Sequence, residues 1–234
     1  MGSPQVPWLE CWAALAQRDD VVDDVLALYG LDGWLTPPLL PLVVPALPTM
    51  GTAVTIELCA ESVGTGLAPL HQLVSHDLGD HVVVIAGARG IGGAVWGEIM
   101  SRSADQQGAR AILLDGMARD ATAMAEEGLP VYAAELAVVG PMGRASIRSV
   151  GEAVDIGGVC IAPGDAVIVD ASGAVRVTAA ESERVLDAAR AYATAEARVM
   201  AALAAGEPLV EAYRFKKDVV NEITSAVTEW RRGR

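Results

Sequence analysis

The sequence predicts an α/β fold, a compact sandwich with a C-terminal helix rather than a uniform doubly wound sheet. Three observations carry this. Between residues 52 and 136 short apolar runs alternate with segments of helical spacing. From about 153 the text changes to short strands joined by Gly-Gly, Pro-Gly-Asp and Ser-Gly turns. A long Ala-rich helical stretch then follows, from about 180 to 205. The chain of 234 residues is 52% hydrophobic but only 4% aromatic, so its core must be built mainly from Ala, Val, Leu and Ile.

Taken in order, residues 8–29 space their apolar positions as a helix does and stop at Gly30. The Pro-rich stretch 35–48 must be extended or turning. TAVTIELC (52–59) alternates and is β-branched, which marks a strand. Residues 66–78 fit a short helix and HVVVIAG (81–87) a buried strand leading into a glycine-rich turn. GEIMSRSADQQ (97–107) reads as a helix ended by Gly108, and AILLD (111–115) as a second buried strand. RDATAMAEE (119–127) reads as a helix closed by Gly128, and VYAAEL (131–136) as a strand. Three or four short strands are expected after 153, then the Ala-rich helix, then a second helix within 208–234.

Composition excludes several function classes. Thirty acidic residues against 17 basic ones give a net charge of −13, which repels a phosphate backbone and disfavours nucleic-acid binding. Cys11, Cys59 and Cys160 are sparse and form no Cys-x-x-Cys, so neither a disulfide framework nor a zinc ribbon is expected. No positive charge precedes the first apolar residues and no apolar run reaches the roughly 18–20 residues that span a bilayer. The expected setting is cytoplasmic, with no membrane partner.

The turn in VVVIAGARGIGGAV (82–95) resembles a dinucleotide-binding loop. Asp115, ending the next strand, stands where a ribose-binding carboxylate would. Tyr213 and Lys217 also have a Tyr-x-x-x-Lys spacing. Against a nicotinamide-dependent oxidoreductase stand about 80 residues before the first strand, a Tyr-Lys pair close to the C-terminus, and no continuing βαβ pattern over 153–178. A plain strand–turn–helix connection is the competing reading. His71, His76 and His81 recur every five residues. That spacing places neighbours roughly 140° apart on a helix, so they would not converge on one metal.

The chemically suggestive stretch is AILLDGMARD (111–120), an apolar run ending in two carboxylates that flank a guanidinium. One reading has Asp120 capping a helix and Arg119 solvated. The other follows from a resemblance. GEIM (97–100), ILLDGMARD, EEGLPVYA and VGEAVDIGGVCIAPGDAVIVD together are similar to the RraA-like family of class II pyruvate aldolases. These are 4-hydroxy-4-methyl-2-oxoglutarate / 4-carboxy-4-hydroxy-2-oxoadipate aldolases, often mislabelled as demethylmenaquinone methyltransferases, and the family includes a regulator of ribonuclease activity. The resemblance covers about residues 20–205. It implies one domain of the swivelling β/β/α type with a C-terminal extension over about 206–234. It also implies homotrimers or homohexamers with sites between subunits, to which Trp8, Trp12 and Trp230 could contribute.

What the resemblance implies chemically is cleavage of a carbon–carbon bond in a 2-keto acid through an enolate, releasing pyruvate, with oxaloacetate decarboxylation a related reaction. Arg119 would face the enolate and Asp120 would hold Mg²⁺ or Mn²⁺. Glu98 would hold the water that removes the hydroxyl proton. Gly97 and the amides of Ile99 and Met100 would take the substrate carboxylate, and Asp115 would orient Arg119. The non-catalytic ribonuclease regulator is the main alternative. As the resemblance implies, that branch lacks the acidic residues that here are Glu98 and Asp120. Ala86-Gly87-Ala88-Arg89 departs from an Asp-Gly-Gly common in the family, so Arg89 could meet a second substrate carboxylate.

Overall fold

The computed structural model describes residues 19–232 apart from 37, 62, 63 and 65. It divides into two compact units. One spans Trp34–Ala179; the other joins the described residues before Trp34 to those after Ala179.

The first unit is a sheet protein. Its strands are β1 (Leu40–Val43), β2 (Thr49–Cys59), β3 (His81–Ala86), β4 (Ala111–Ala118), β5 (Val131–Leu136), β6 (Ser146–Val150), β7 (Val154–Ile156), β8 (Val159–Ile161), β9 (Ala166–Val169) and β10 (Ala174–Val177). Its helices are α1 (Ala68–Leu73), α2 (Glu98–Gln106) and α3 (Ala121–Glu127). The main sheet runs β1-β5-β4-β3-β2-β9-β10, with β6 also on β2; β7 and β8 form a separate hairpin. Strands β2, β3, β4 and β5 are parallel neighbours, while β1, β6, β9 and β10 join antiparallel. Parallel neighbours need a crossover, and α1, α2 and α3 are those crossovers.

Strand β3 explains why its sequence is uniformly apolar. Val83 and Ile85 pack with Leu70, Val74, Ala104 and Met124 beneath the helices. Val82 and Val84, on the opposite face, pack with Val154, Ile156, Val159 and Ile161 of the hairpin. Both faces are covered, so alternation disappears. The result is a layered mixed α/β fold, as expected. The Pro-Gly-Asp turn is fixed by Asp165, whose carboxylate accepts from the backbone N–H groups of Ala162 (3.0 Å) and Ala179 (2.9 Å).

The second unit is helical: α4 (Asp19–Tyr29), α5 (Ser182–Ala204), α6 (Leu209–Ala212) and α7 (Arg214–Arg232). Buried Val219, Ile223 and Val227 recur every four residues along α7 and give it one apolar face. Lys216 draws three helices together, with Nζ 2.8 Å from Glu196 Oε1 and 3.5 Å from Asp24 Oδ2. The Tyr192 hydroxyl donates to Asp24 Oδ2 at 2.7 Å. Trp230 packs edge-on against Tyr29, centroids 5.8 Å apart, so it serves intrachain packing; Trp8 and Trp12 lie outside the described residues. No helix among the described residues is long and apolar enough to cross a membrane.

Candidate functional site

In parallel sheets the carboxyl ends of the strands are where loops gather and ligands bind. Here β3 leads into a loop over 87–97 and β4 leads into Arg119-Asp120. Strand β4 does not stop at Asp115. Its pairing with β5 shifts between Leu114 and Met117, and the strand continues to Ala118. This bulge carries the chain out to the site. Gly116 sits on the bulge because a methyl there would lie 2.4 Å from the Ala88 Cβ. Gly87, at φ +73°, is likewise required: a methyl would lie 2.3 Å from the Leu58 carbonyl oxygen.

The loop over 87–97 is not the tight turn of a dinucleotide fold. It returns to the sheet, where Trp96 bridges Ala118 in parallel register. Arg119 N–H donates to the Trp96 carbonyl (3.0 Å) and Val95 N–H to the Met117 carbonyl (3.0 Å). Trp96 is 1% exposed, and its indole N–H donates to Ser101 Oγ at 2.8 Å. A buried indole thus fixes the backbone that carries Arg119. Tyr213 and Lys217 belong to the helical unit, whereas the glycine loop belongs to the sheet unit.

Arg119 and Asp120 are each 46% exposed in their side chains, with Arg119 Nε 3.5 Å from Asp120 Oδ2. Two glycines make room for the pair. A methyl at Gly97 would lie 2.8 Å from Asp120 Oδ2 and 3.2 Å from Arg119 Cγ; one at Gly140 would lie 3.3 Å from Arg119 Nη1. Asp120 has φ 60° and ψ 34°, the left-handed region, and precedes α3 without a side-chain cap hydrogen bond. Its carbonyl starts the helix by accepting from Met124 N–H at 2.9 Å. The capping reading of Asp120 is therefore not what the structure has. A conformation that costs an L-residue about 1 kcal/mol leaves the carboxylate beside Arg119.

Gly97 is also the N-cap of α2 and has no side chain with which to cap it. Helix geometry therefore leaves the first-turn amides, those of Ile99 and Met100 among them, facing outward. Together these groups border a cleft of about 400 Å³ lined by Trp96, Gly97, Ile99, Met100, Arg119 and Asp120, with Leu67, His71, Pro141 and Met142 on the remaining walls. The segment bearing Pro141 is held against the loop by Ala94 N–H donating to the Val139 carbonyl at 2.8 Å.

Two expected residues stand elsewhere. Glu98, the first residue of α2, is not among the cleft-lining side chains. Its Oε1 lies 3.2 Å from Arg102 Nη2, and Arg102 Nε donates to Glu127 Oε1 at 3.1 Å. Asp115 does not orient Arg119; its Oδ1 lies 2.5 Å from Arg89 Nε. That ion pair also occupies the guanidinium expected to meet a second carboxylate. His71 lines the cleft alone of the three histidines, and their five-residue spacing carries no sign of it. His81 Nδ1 instead lies 2.6 Å from Thr52 Oγ1, and the His76 ring N–H donates to the Gln72 carbonyl at 2.6 Å. Leu67, Pro141 and Met142 gave no local signal.

No group of three or more His, Cys, Asp or Glu side chains converges on a metal position among the described residues. One carboxylate, Asp120, is the donor the cleft presents. That does not fit a closed zinc site. It does suit a hard cation of the Mg²⁺ kind, which keeps several waters and takes one or two carboxylates.

Comparison with known proteins identifies the family and the fold. Residues 19–176 match the RraA-like family, described as Aldolase/RraA. Among solved structures, an uncharacterized protein from Pseudomonas syringae pv. tomato is 25% identical, with TM-score 0.75, covering 91% of this chain and 98% of its own. RraAS2 of Streptomyces coelicolor, described as an unusual member of the RNase ES inhibitor RraA family, is 20% identical with TM-score 0.69, covering 81% and 93%. The RNA-processing inhibitor RraA of Thermus thermophilis is 18% identical with TM-score 0.53, covering 67% and 91%.

Proposed function

The chain belongs to the RraA-like family, which includes both aldolases and RNase inhibitors, and from that membership and the cleft geometry we propose that it is a divalent-metal-dependent carbon–carbon lyase acting on a 2-keto acid. The observation that carries this is the Arg119-Asp120 pair. A carboxylate left uncapped in the left-handed region stands beside a half-exposed guanidinium at the mouth of a cleft.

The substrate's carboxylate is taken by the outward amides of Ile99 and Met100 and by Arg119, whose planar fork matches two oxygens at once. Glu98 adjoins Gly97 but is paired with Arg102 outside the cleft lining, so its role as holder of the water that accepts the 4-hydroxyl proton rests on the family resemblance and requires that it turn from Arg102. As that proton leaves, C4 becomes a carbonyl and the C3–C4 bond breaks. Its electron pair moves to C3 and into the C2 carbonyl as an enolate, and protonation at C3 completes pyruvate. Arg119 faces the developing oxyanion with a charge already in position, so no reorganisation is needed when the bond breaks. Asp120 would hold the divalent cation, Mg²⁺ or Mn²⁺, which when bound supplies further Lewis-acid stabilisation of that charge. Asp115 serves the site indirectly, by holding Arg89 against the bulge. Decarboxylation of oxaloacetate passes through the same enolate.

The regulator reading draws on one feature. Leu136, Val138 and Met142 are exposed, the last two at 93%, as a protein-contacting surface would be. Family members are commonly oligomeric, and we propose a homotrimer or homohexamer here, whose contacts would also cover such side chains. A pyruvate-release assay over a panel of 2-keto acids, with and without Mg²⁺ or Mn²⁺, separates the readings. Metal-dependent release supports the lyase; inactivity on the whole panel leaves the regulator. Turnover that needs a nicotinamide and no metal would instead support the oxidoreductase.

A further inference from the structure

Resting on the lyase reading, one buried polar residue outside the cleft acquires a role in it. Ser101 lies one turn into α2 and is fully buried. Its backbone N–H donates to the Gly97 carbonyl at 3.0 Å, the bond that opens the helix. Its Oγ accepts from the Trp96 indole N–H at 2.8 Å, a pair buried on both sides. Ser101 therefore grips the chain on either side of the Trp96–Gly97 peptide bond.

Those two residues place the charged pair. The Trp96 carbonyl accepts from Arg119 N–H at 3.0 Å, and Trp96 bridges Ala118 in parallel register. Gly97 packs so closely on the pair that a methyl there would lie 2.8 Å from Asp120 Oδ2 and 3.2 Å from Arg119 Cγ. The same helix turn carries the amides of Ile99 and Met100. The helix start and the Arg119-Asp120 turn thus share one fixed point, and every contact in the relay lies within one chain. Without the serine oxygen a buried indole N–H loses its acceptor. The ring must then move toward another, and the backbone that holds Arg119 moves with it.

We infer that Ser101 is a positioning residue: through the Trp96 indole and the Gly97 carbonyl it sets the distance between the α2 amides that take the substrate carboxylate and the Arg119-Asp120 pair that meets the enolate.

The test compares the wild type with Ser101→Ala, Ser101→Thr and Asp165→Ala. The readouts are circular dichroism, metal-dependent pyruvate release, and calorimetric binding of pyruvate and of oxalate in Mg²⁺. Oxalate has the planar shape and charge of pyruvate's enolate, so its affinity reports how well the site fits that enolate. Asp165 is the control for stability alone. It precedes Ala166, which pairs with Thr52, and Thr52 pairs with His81 at the start of β3, the end of the sheet away from the cleft. The expected result is a folded Ser101→Ala that loses about tenfold or more in kcat and in oxalate affinity alike, with pyruvate affinity changed less. Threonine keeps the oxygen and should recover most of both, while Asp165→Ala should keep the wild-type values. A merely structural serine would lower the melting temperature and leave kcat and oxalate affinity alone. That outcome, or an equal loss in Asp165→Ala, overturns the inference. A wild type that neither releases pyruvate nor binds oxalate would sink the keto-acid reading, and this inference with it. An active wild type matched by Ser101→Ala sinks the inference alone.

Discussion

Arg119 is held by its backbone, while its side chain is half-exposed beside Asp120, which suits the proposed role of meeting a transient charge. Arg119→Lys keeps the charge but loses the fork, and turnover should fall on the order of 10²–10³ with unchanged circular dichroism. A substitution that touches neither charged group should also be damaging. In Gly97→Ala the new methyl would sit 2.8 Å from Asp120 Oδ2, so the carboxylate must shift. A displacement of about 1 Å in such a site costs about 10²-fold. The expected outcome is a fall in kcat of that order with little change in melting temperature. Equal loss of both would mean that Gly97 matters only for folding. At this scale the sequence was partly legible. The residues of GEIM and ARD could be named because their spacing is local. The partner of Asp115 could not, because the bulge that hands it to Arg89 is a matter of strand register. For Asp120 the residues alone left a helix cap and a cation ligand both open, since nothing local announces a left-handed aspartate.

Elements were read more completely, and the reason is burial. Strands β3 and β4 are covered on both faces and show as apolar runs, and the helices end at Gly30, Gly108 and Gly128, each at positive φ. Strand β6 gives little signal: in SIRSV only Ser146 is buried, and the strand pairs only the C-terminal part of β2, so its pattern is short and polar. The Pro-Gly-Asp turn was seen, but its function in the fold rests on Asp165. Asp165→Ala leaves two backbone N–H groups without their acceptor, at roughly 1–3 kcal/mol each. Chemical denaturation should show a loss of that order, recovered in part by Asn. In the helical unit, burial above all, with the Asp24 contact, pushes the Tyr192 phenol up to about 12. The unfolded phenol titrates near 10. Between these values the folded chain binds the extra proton, so stability is full below pH 10 and declines as pH rises toward 12. Urea unfolding across that window should show the decline, and Tyr192→Phe should flatten it.

At the scale of the whole molecule, a chain with net charge −13 presents one cleft where a guanidinium, a carboxylate and outward helix amides meet. The general field disfavours polyanions; on the proposed reading, the local arrangement takes a small anion. Family and fold were legible in the sequence because GEIM, the ARD turn and the downstream glycine turns are spaced as a set. The cleft's far walls were not, because Leu67, His71 and Met142 reach it from segments far apart in the chain and carry no mutual spacing. The most direct test is metal-dependent pyruvate release by the Asp120→Asn variant beside the wild type, titrated with Mg²⁺ and Mn²⁺. Asparagine tolerates the left-handed backbone and preserves the shape while removing the charge. The expected result is a folded protein whose metal-stimulated turnover is lost at every concentration. Wild-type rates with wild-type metal dependence in that folded variant would place the chemistry away from the Arg119-Asp120 cleft.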